Sequence, residues 1–521
     1  MPHTEPVSYW VDSASARRYP SLSRDLDVDV AIVGAGITGL TAAYLLKRAG
    51  RRVAVIDREH IGGVDTMRTT AHVTCVTDLD LGELKKTFGR VHAQAAWDAG
   101  FAAIDQIDTI VREERIACDW TWVTGYKHLP EGADANDERA TQRLKDEAML
   151  ANALGFDATY LDEVPWRGRP GIAYEGQAKI HPRKYLARLA QIVDGDGSFV
   201  FENTSCDEVS DEPLAVKAND HTIRCQYVVI ATHTPLVGKT NLASATLLQT
   251  KLYLYTSYVV GGRVPSGLIP EALFWNTADP YQYVRVDRHR DHDYVIVGGE
   301  DHKTGQADDT DACFRRLEHT VKRLLPAIEI DHHWSGQVVE TNDGLPFIGE
   351  TSAKQFAATG YAGNGMTFGT IAAMMARDAA LGLKNPWAEL FDVGRTKVKG
   401  GAWDYIKENV DYPYYMVRDR LFGSEGRSLR ALRRGEGKIL TFNGERVAAS
   451  RNEDGEVTML SAVCTHMGCI VAWNRAESTW DCPCHGSRFR PTGEVLAGPA
   501  ESPLEAVDPK RRSSKQPVSA R

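Results

Sequence analysis

The sequence predicts an α/β domain with a parallel sheet, an antiparallel-sheet region joined to it, and a small all-β domain near the C-terminus. Residues 28–57 show the strand–turn–helix–strand pattern of a βαβ unit. Residues 251–299 are rich in aromatic and β-branched residues with alternation, which is typical of antiparallel strands. Residues 436–508 consist of short apolar stretches separated by Gly and Asp-Gly turns, which predicts short strands.

The first element in this order is the βαβ unit. An apolar run at 28–33 predicts a buried strand, and 40–49 has helical spacing of its apolar residues. Gly50 ends this helix in the C′ position, where a left-handed residue is favoured. Residues 52–56 then form the second strand, which ends at Asp57.

Further elements follow along the chain. Helical patterns cover 83–115 and 137–154, and buried strands are predicted at 227–231 and 294–298. Residues 359–383 begin with a glycine turn and continue as a helix. The alternating stretch at 251–299 lies between these elements and predicts the antiparallel sheet.

Composition excludes several classes of protein. The 521 residues carry a formal net charge of −9, which argues against a nucleic-acid surface spread over the chain. The first residues lack the pattern of a secretory signal, and no apolar run reaches the ~18 residues of a spanning helix. Basic residues gather at the extreme end, where we expect a solvated tail. We expect a cytoplasmic protein with no membrane span.

The turn of the βαβ unit is a dinucleotide-binding motif. Gly34, Gly36 and Gly39 form GxGxxG between a strand and a helix, and Asp57 follows 18 positions after the last glycine. Gly34 permits the tight turn, Gly36 lets the backbone approach a pyrophosphate, and Gly39 lets helix and strand pack closely. Asp57 can accept hydrogen bonds from ribose hydroxyls. A glycine turn without a nucleotide is the alternative.

The nucleotide is expected to be FAD. An enzyme that reduces flavin with NADH normally carries a second GxGxxG, and the sequence has none. A second glycine-rich segment lies late in the chain, at 360–369, and includes Gly363, Gly365 and Met366. One nucleotide motif together with this late segment favours FAD over NAD.

With these segments the chain resembles the D-amino-acid-oxidase-like superfamily of FAD enzymes, which includes glycine and sarcosine oxidases. The resemblance implies that the late glycine segment approaches the flavin ring and that Thr69 and Thr70 lie beside it. It also implies that Cys206 lends backbone groups to the adenine, although a buried core thiol is an equal alternative. The matching segments are Ser8–Trp10, Val28–Asp57, Thr69–His72, Lys179–Tyr185, Val229–His233, Gly298–Lys303 and Gly360–Gly369.

Four of the nine cysteines lie within 21 positions, in Cys464-Thr-His466-Met-Gly-Cys469 and Cys482-Pro-Cys484-His485. A zinc site would more often use Cys-x-x-Cys pairs. Here one knuckle is Cys-x-His and the other Cys-x-x-His, which offers two thiolates to one iron and two imidazoles to the other. This spacing predicts a Rieske [2Fe–2S] cluster.

The two knuckles resemble those of Rieske proteins closely. The resemblance implies that Cys464 and Cys482 bind the inner iron and that His466 and His485 bind the exposed one. In Rieske proteins of the respiratory-complex type, the two remaining cysteines of the knuckles form a disulfide, here Cys469 with Cys484.

The surroundings of the cluster set its potential, which spans about −150 to +300 mV among Rieske centres. Ser487 is present and its hydroxyl can donate to a bridging sulfide. The respiratory type carries a tyrosine two positions further on, whereas this chain has Phe489. One hydrogen-bond donor is therefore missing, and we expect a potential below that of the respiratory proteins.

These patterns divide the chain into five regions. The resemblance implies that the largest region consists of an FAD-binding part and a substrate part. The FAD-binding part is expected at about 28–80, 170–235 and 336–383, and the substrate part at about 84–169 and 240–335. The regions are an N-terminal extension (1–27), the FAD-dependent oxidoreductase (28–383), a linker (384–435), the Rieske domain (436–508) and a basic tail (509–521).

The combination predicts an enzyme that takes two electrons from a small molecule and passes them on singly to an external acceptor. The resemblance implies oxidation of an amine, an amino acid or a hydroxy compound. Arg285 is a candidate for holding a substrate carboxylate, and His302 for lining the pocket, with Tyr281 and Tyr283 beside them. The alternatives are a reductase component that feeds a partner oxygenase, and a redox sensor without turnover.

Overall fold

The computed structural model describes residues 7–134, 137–234, 251–395, 429, 432–442 and 444–507. The chain divides into two compact units. One comprises Val7–Asp301 and Phe314–Tyr405; the other comprises Met1–Pro6, His302–Cys313 and Ile406–Arg521. Most of the predicted linker and the whole basic tail lie outside the described residues.

Strands and helices are mixed through the first 230 residues. The strands are β1 (Leu26–Asp27), β2 (Val30–Val33), β3 (Val53–Ile56), β4 (His72–Val73), β5 (Thr121–His128), β6 (Ala158–Leu161), β7 (Gly171–Lys179), β8 (Phe199–Phe201), β9 (Cys206–Asp211), β10 (Leu214–Ala218), β11 (His221–Arg224) and β12 (Tyr227–Ile230). The helices are α1 (Tyr9–Ser13), α2 (Ile37–Arg48), α3 (Leu81–Phe88), α4 (Arg90–Glu113), α5 (Glu138–Ala153) and α6 (Pro182–Val193).

Long strands dominate the next part of the chain. They are β13 (Leu252–Val264), β14 (Leu273–Asn276), β15 (Tyr283–Arg288), β16 (Asp293–Lys303), β17 (Glu329–Thr341), β18 (Phe347–Ser352) and β19 (Gln355–Thr359). The helices among them are α7 (Thr310–Leu324), α8 (Gly365–Ala380) and α9 (Ala388–Phe391).

A six-stranded sheet holds the predicted βαβ unit. Its order is β18-β19-β12-β2-β3-β8, parallel except for the antiparallel edge strand β18. All residues of β2, β3 and β12 are buried, which explains why these strands read as unbroken apolar runs. The predicted strand at 28–33 begins two residues later in the structure, and the helix predicted at 40–49 begins earlier, at Ile37.

A mainly antiparallel sheet of nine strands forms the second layer. It runs β17-β13-β16-β15-β14-β5-β7-β4, with β6 paired to β7. The alternating stretch at 251–299 supplies β13 to β16, as predicted. A four-stranded sheet, β1-β11-β10-β9, completes this unit. The predicted α/β domain with an antiparallel-sheet region is thus confirmed.

The C-terminal region is all-β over its described residues. Its strands are β20 (Glu436–Phe442), β21 (Glu445–Arg451), β22 (Val457–Ser461), β23 (Ala472–Asn474), β24 (Thr479–Asp481), β25 (Arg488–Phe489) and β26 (Val495–Ala497). They form an antiparallel sheet β20-β21-β22 and a second sheet β23-β24-β25-β26. A small core that includes the knuckle cysteines, Trp480 and Phe489 lies in this region.

Candidate functional site

The first glycine turn is closely packed. Gly34 has φ +107°, and a Cβ there would lie 2.4 Å from the Ala231 carbonyl oxygen at the end of β12. A Cβ on Gly39 would lie 1.8 Å from the Gly34 carbonyl oxygen. These positions therefore exclude a side chain, and α2 begins close against the strand. This is the geometry that the dinucleotide motif requires, while contact of the individual glycines with FAD stays a prediction.

Asp57 lies just beyond β3 and faces the same turn. Its carboxylate accepts hydrogen bonds from the Ala35 N–H at 2.7 Å and from the Glu59 N–H at 2.9 Å. Burial raises the pKa of Asp57, and the two N–H groups oppose that effect. The carboxylate is therefore fixed next to the glycine turn, in the position from which we predict that it binds ribose.

The late glycine segment packs against the first one. Gly363 has φ +76°, and α8 begins at Gly365 with Met366 buried. A Cβ on Gly369 would lie 2.7 Å from Ile37 Cγ2 and 2.9 Å from Thr38 Oγ1. The N-terminal turns of α2 and α8 are thus in direct contact, so both helix N-termini, which favour anionic groups, lie in one place.

The segment from Thr69 to His72 is held by buried donors. The Trp10 indole N–H donates to the Thr69 carbonyl at 2.6 Å. Arg285 Nη1 donates to the carbonyls of Thr70 at 3.1 Å, Ala71 at 2.8 Å and Ile180 at 2.9 Å. Ala71 has φ +54°, an unusual value for a residue with a Cβ, and these bonds stabilise that backbone.

Arg285 is 1% exposed, and its remaining contacts are also internal. Its Nε donates to Asp287 at 2.9 and 3.1 Å, and the guanidinium lies 4.8 Å from the Trp10 ring centroid. Lys179 donates to the same carboxylate at 2.7 Å, and the two cations lower the pKa of Asp287 to about 2. This geometry favours a structural role, and contact with a substrate carboxylate stays a prediction.

The other predicted residues are spread more widely. Cys206 begins β9 and is 5% exposed. His302 belongs to the compact unit that contains the C-terminal region, and its Nδ1 lies 2.8 Å from the Lys303 carbonyl oxygen. The adenine contact of Cys206 and the pocket role of His302 both stay predictions.

Sequence reasoning missed an acidic cluster beside the late glycine segment. The Tyr281 hydroxyl donates to Asp78 at 3.3 Å, and a Cβ on Gly363 would lie 3.2 Å from that hydroxyl and 3.3 Å from Asp78 Oδ2. Asp301 interacts electrostatically with Asp78, and the hydroxyl of Tyr283 lies 2.7 Å from that of Ser257. One oxygen of Asp301 is buried and has no hydrogen-bond partner among the described residues.

Desolvation and repulsion between carboxylates determine the charge of this cluster. Desolvation and repulsion from Asp301 raise the pKa of Asp78 to about 7, whereas desolvation and repulsion from Glu300 raise that of Asp301 to about 6. The Asp78 side chain is nevertheless accessible to solvent. The segment Gly298–Lys303 resembles the FAD-enzyme superfamily, but a linear pattern gives no sign that Asp301 lies close enough to Asp78 to affect its charge.

The C-terminal region brings the four predicted cluster ligands together in pairs. The thiols of Cys464 and Cys482 are hydrogen-bonded to each other. The imidazoles of His466 and His485 lie 4.9 Å apart, centroid to centroid, at 86°. Burial lowers the pKa of each histidine to about 4, so both rings are neutral at pH 7. Paired thiols and paired neutral imidazoles suit the two irons of a Rieske cluster.

The remaining knuckle cysteines, Cys469 and Cys484, form a disulfide. This is the pair that resemblance to the respiratory type implied. Their sulfurs lie within 4.8 Å of the Cys482 sulfur, but a disulfide pair cannot serve as thiolate ligands. Cys464, Cys482, His466 and His485 thus stay the predicted ligands of the cluster.

Two neighbours of the ligands bear on the potential. The Ser487 hydroxyl hydrogen-bonds to the Cys464 sulfur and accepts the Ala500 N–H at 3.1 Å. Phe489 is fully buried in β25 and offers no donor. The structure therefore contains the serine donor but not the second donor of the respiratory type.

Fold and site together define a flavin-dependent oxidoreductase with a Rieske iron–sulfur domain. Residues 29–379 match the FAD dependent oxidoreductase family, and residues 427–508 match the Rieske [2Fe-2S] domain. The chain belongs to the FAD dependent oxidoreductase family and carries a Rieske domain; it binds FAD and a [2Fe–2S] cluster.

Individual relatives agree with this result. The chain is 31% identical over 510 residues to YhfW of Bacillus subtilis (strain 168), described as a Rieske 2Fe-2S iron-sulfur protein, covering 96% of this chain and 98% of the relative. It is 45% identical over 71 residues to the cytochrome b6-f complex iron-sulfur subunit of Chlorobaculum thiosulfatiphilum, covering 14% and 39%. Glycine oxidase from Geobacillus kaustophilus has the same fold, with a TM-score of 0.59 at 17% identity, covering 71% and 99%.

No helix among the described residues is both long and apolar enough to cross a membrane.

Proposed function

We propose that the chain is a dehydrogenase for a small amine and that it passes electrons one at a time through the Rieske cluster to an external acceptor. FAD accepts two electrons as a hydride and the cluster carries one, so the two groups in one chain suit a two-to-one electron transfer. The proposed location is the cytoplasm.

The observation that carries the choice of an amine is the acidic cluster next to Gly363. The charges that act on Tyr281 near neutral pH come from the carboxylates of Asp78, Asp301 and Glu340. The cation that acts on Asp78 is Lys127, which is already paired with Asp80. Such a site attracts a cationic group, because two carboxylates stabilise it by charge.

A substrate that presents a carboxylate has less support. An amino acid or a hydroxy acid presents a carboxylate, which would need a cation at the site. Arg285 was the predicted partner, but its Nε and Nη1 are engaged by Asp287 and by backbone carbonyls. The geometry therefore favours an amine within the broader set of substrates.

Asp78 also suits the proton transfer that amine oxidation needs. An alkylammonium ion must lose a proton from nitrogen before its carbon can give up a hydride. A carboxylate with a pKa of about 7 accepts that proton efficiently near neutral pH. We therefore assign Asp78 as the proton acceptor and Asp301 as the second charge that holds the ammonium group.

The test is anaerobic bleaching of the flavin in the full-length holoenzyme by amines, amino acids, hydroxy acids and NADH. We expect amines to bleach it, with kcat/KM rising with pH through an apparent pKa near 7 as Asp78 loses its proton. Asp78→Asn should lower kcat/KM by about 10²–10⁴-fold and remove this pH limb while FAD content is kept. The matched control is Asp98→Asn, which changes an exposed carboxylate on α4.

Other results would contradict the proposal. Bleaching by hydroxy acids without any by amines would refute the substrate class. Bleaching by NADH alone would support the reductase alternative. An Asp78→Asn variant with the wild-type pH profile would show that the carboxylate does not take the proton.

A further inference from the structure

Residues His302–Cys313 group with the C-terminal region in one compact unit. In the sequence they lie within the match to the FAD dependent oxidoreductase family, at 29–379. We call this segment the clamp, because it contacts two loops of the Rieske domain. One is the second ligand loop, Cys482–His485, and the other follows β23.

The first contact is between backbones. Gly305 has φ +80°, and a Cβ there would lie 2.8 Å from both the Cys482 carbonyl carbon and the Pro483 nitrogen. Any side chain at this position would be strained by its φ and would collide with a peptide bond. The clamp therefore lies directly against the peptide that follows a cluster ligand.

The second contact is a hydrogen bond. Gln306 Nε2 donates to the Pro483 carbonyl oxygen at 3.0 Å, and Pro483 is buried. Since a buried carbonyl that loses its donor is left unsatisfied and costs stability, this bond holds the loop in place.

One peptide unit connects the Gln306 hydrogen bond to the predicted cluster ligand Cys482. The peptide that joins Pro483 to Cys484 carries the accepting oxygen at one end and an N–H at the other. That N–H, together with the N–H of His485, donates to the Cys482 sulfur. Hydrogen bonds in series polarise one another, so the Gln306 amide strengthens the donor that faces the sulfur.

The clamp makes two further contacts, which lie away from the predicted cluster ligands. Thr310 Oγ1 accepts the Ala476 N–H at 3.1 Å. Asp311 and Arg475 form an ion pair at 3.2 Å, with side chains 28% and 67% exposed. Both contacts involve the clamp but not the Cys482–His485 loop, so the residues that form them are suitable controls.

We propose that Gln306 is a positioning residue for the Rieske cluster, holding the Cys482–His485 loop from the clamp and thereby raising the cluster's reduction potential. Donors to the ligand sulfurs stabilise the reduced cluster, and their strength is one determinant of the potential. Gln306 acts on the sulfur through one peptide unit, without contacting the cluster.

The experiment is an equilibrium redox titration of the full-length holoenzyme, followed by the EPR signal of the reduced cluster. Gln306→Leu removes the donor and should lower the potential and shift the g values. Asp311→Asn, which weakens the other contact of the same clamp, should leave both at their wild-type values. The rate at which a chelator removes iron is a second readout, and it should rise in Gln306→Leu only.

An unchanged potential in Gln306→Leu would overturn the proposal, whatever happens to iron retention. An equal shift in Gln306→Leu and Asp311→Asn would also overturn it, because a general loosening of the clamp would then explain the effect. If Gln306→Leu is isolated without its cluster, Gln306→Asn provides the same test, since its amide is one methylene shorter and falls short of Pro483. A wild-type potential in that variant would equally refute the idea.

Discussion

Replacing Arg285 tests whether this residue supports the fold or binds substrate. In Arg285→Met, Asp287 keeps Lys179 as its remaining partner, and the carbonyls of Thr70 and Ala71 lose their donor. Each buried carbonyl that loses its donor costs about 1–3 kcal/mol, so together with the weakened ion pair the total cost is about 3–5 kcal/mol. The affected unit has nearly 400 residues. At ~2 cal/mol/K per residue, the expected fall in Tm is about 4–6 °C.

The assay is thermal release of flavin, followed by its fluorescence, with substrate kinetics measured on the same variant. The matched control is Arg263→Met on β13, where the arginine is 61% exposed and pairs with Asp331 at 3.3 Å. An exposed pair of this kind contributes about 0–1 kcal/mol, so the control should change little. A wild-type Tm for Arg285→Met, together with a raised KM for a carboxylate substrate, would refute the structural role.

The same variant should depend on pH in a defined way. Asp287 has a pKa of about 2 in the folded protein, below the ordinary value of 3.8. A carboxylate whose pKa is lowered by folding stabilises the fold at pH values above its unfolded-state pKa. That contribution is lost as the pH falls through the folded-state pKa. The difference in Tm between wild type and Arg285→Met should therefore be full above pH 4 and shrink toward pH 2. A difference that is constant across this range would show that Asp287 is not responsible.

Three further predictions concern the cofactors. Purified protein should contain FAD, iron and acid-labile sulfide without stoichiometric zinc, and His485→Ala should lose the cluster but keep FAD; zinc without labile sulfide would contradict this. Asp57→Ala should weaken FAD retention by about 1–3 kcal/mol, as measured by flavin dissociation, and unchanged affinity would mean that the carboxylate does not bind the nucleotide. Ser487→Ala should lower the cluster potential and Phe489→Tyr should raise it in the full-length protein; an unchanged or lower potential in Phe489→Tyr would mean that the hydroxyl does not reach a sulfur and that the likeness to the respiratory type fails in this loop.

Local patterns predicted the elements that contain both cofactor motifs. The strands and helix of the βαβ unit fall within about three residues of their predicted bounds, because buried parallel strands are apolar throughout and glycine interrupts them. The Rieske motif could be predicted as well, since Cys464 and Cys482 with their histidines lie at a spacing typical of Rieske proteins.

Interactions between distant segments could not be read in this way. Arg285 and Asp287 lie two positions apart in a strand and so share one face, which alternation does indicate. Lys179, which completes the network, lies 108 positions before Asp287. Asp78 and Tyr281 are likewise separated by 203 positions. The clamp was missed for the same reason, because Gln306 reaches Pro483 across 177 positions.

The disulfide between Cys469 and Cys484 has a consequence for how the cluster is assembled. The Cys482 sulfur lies within 4.8 Å of both disulfide sulfurs. In the iron-free protein, Cys482 can exchange with the disulfide and release one of its partners as a free thiol, but only slowly, because its hydrogen bond with Cys464 and burial raise the pKa of the Cys482 thiol and leave little thiolate. A cluster held through the predicted ligand Cys482 would remove that sulfur from the exchange. Early iron loading thus protects the correct pairing, and prolonged metal starvation of the newly made chain should yield scrambled cysteines that no longer accept a cluster.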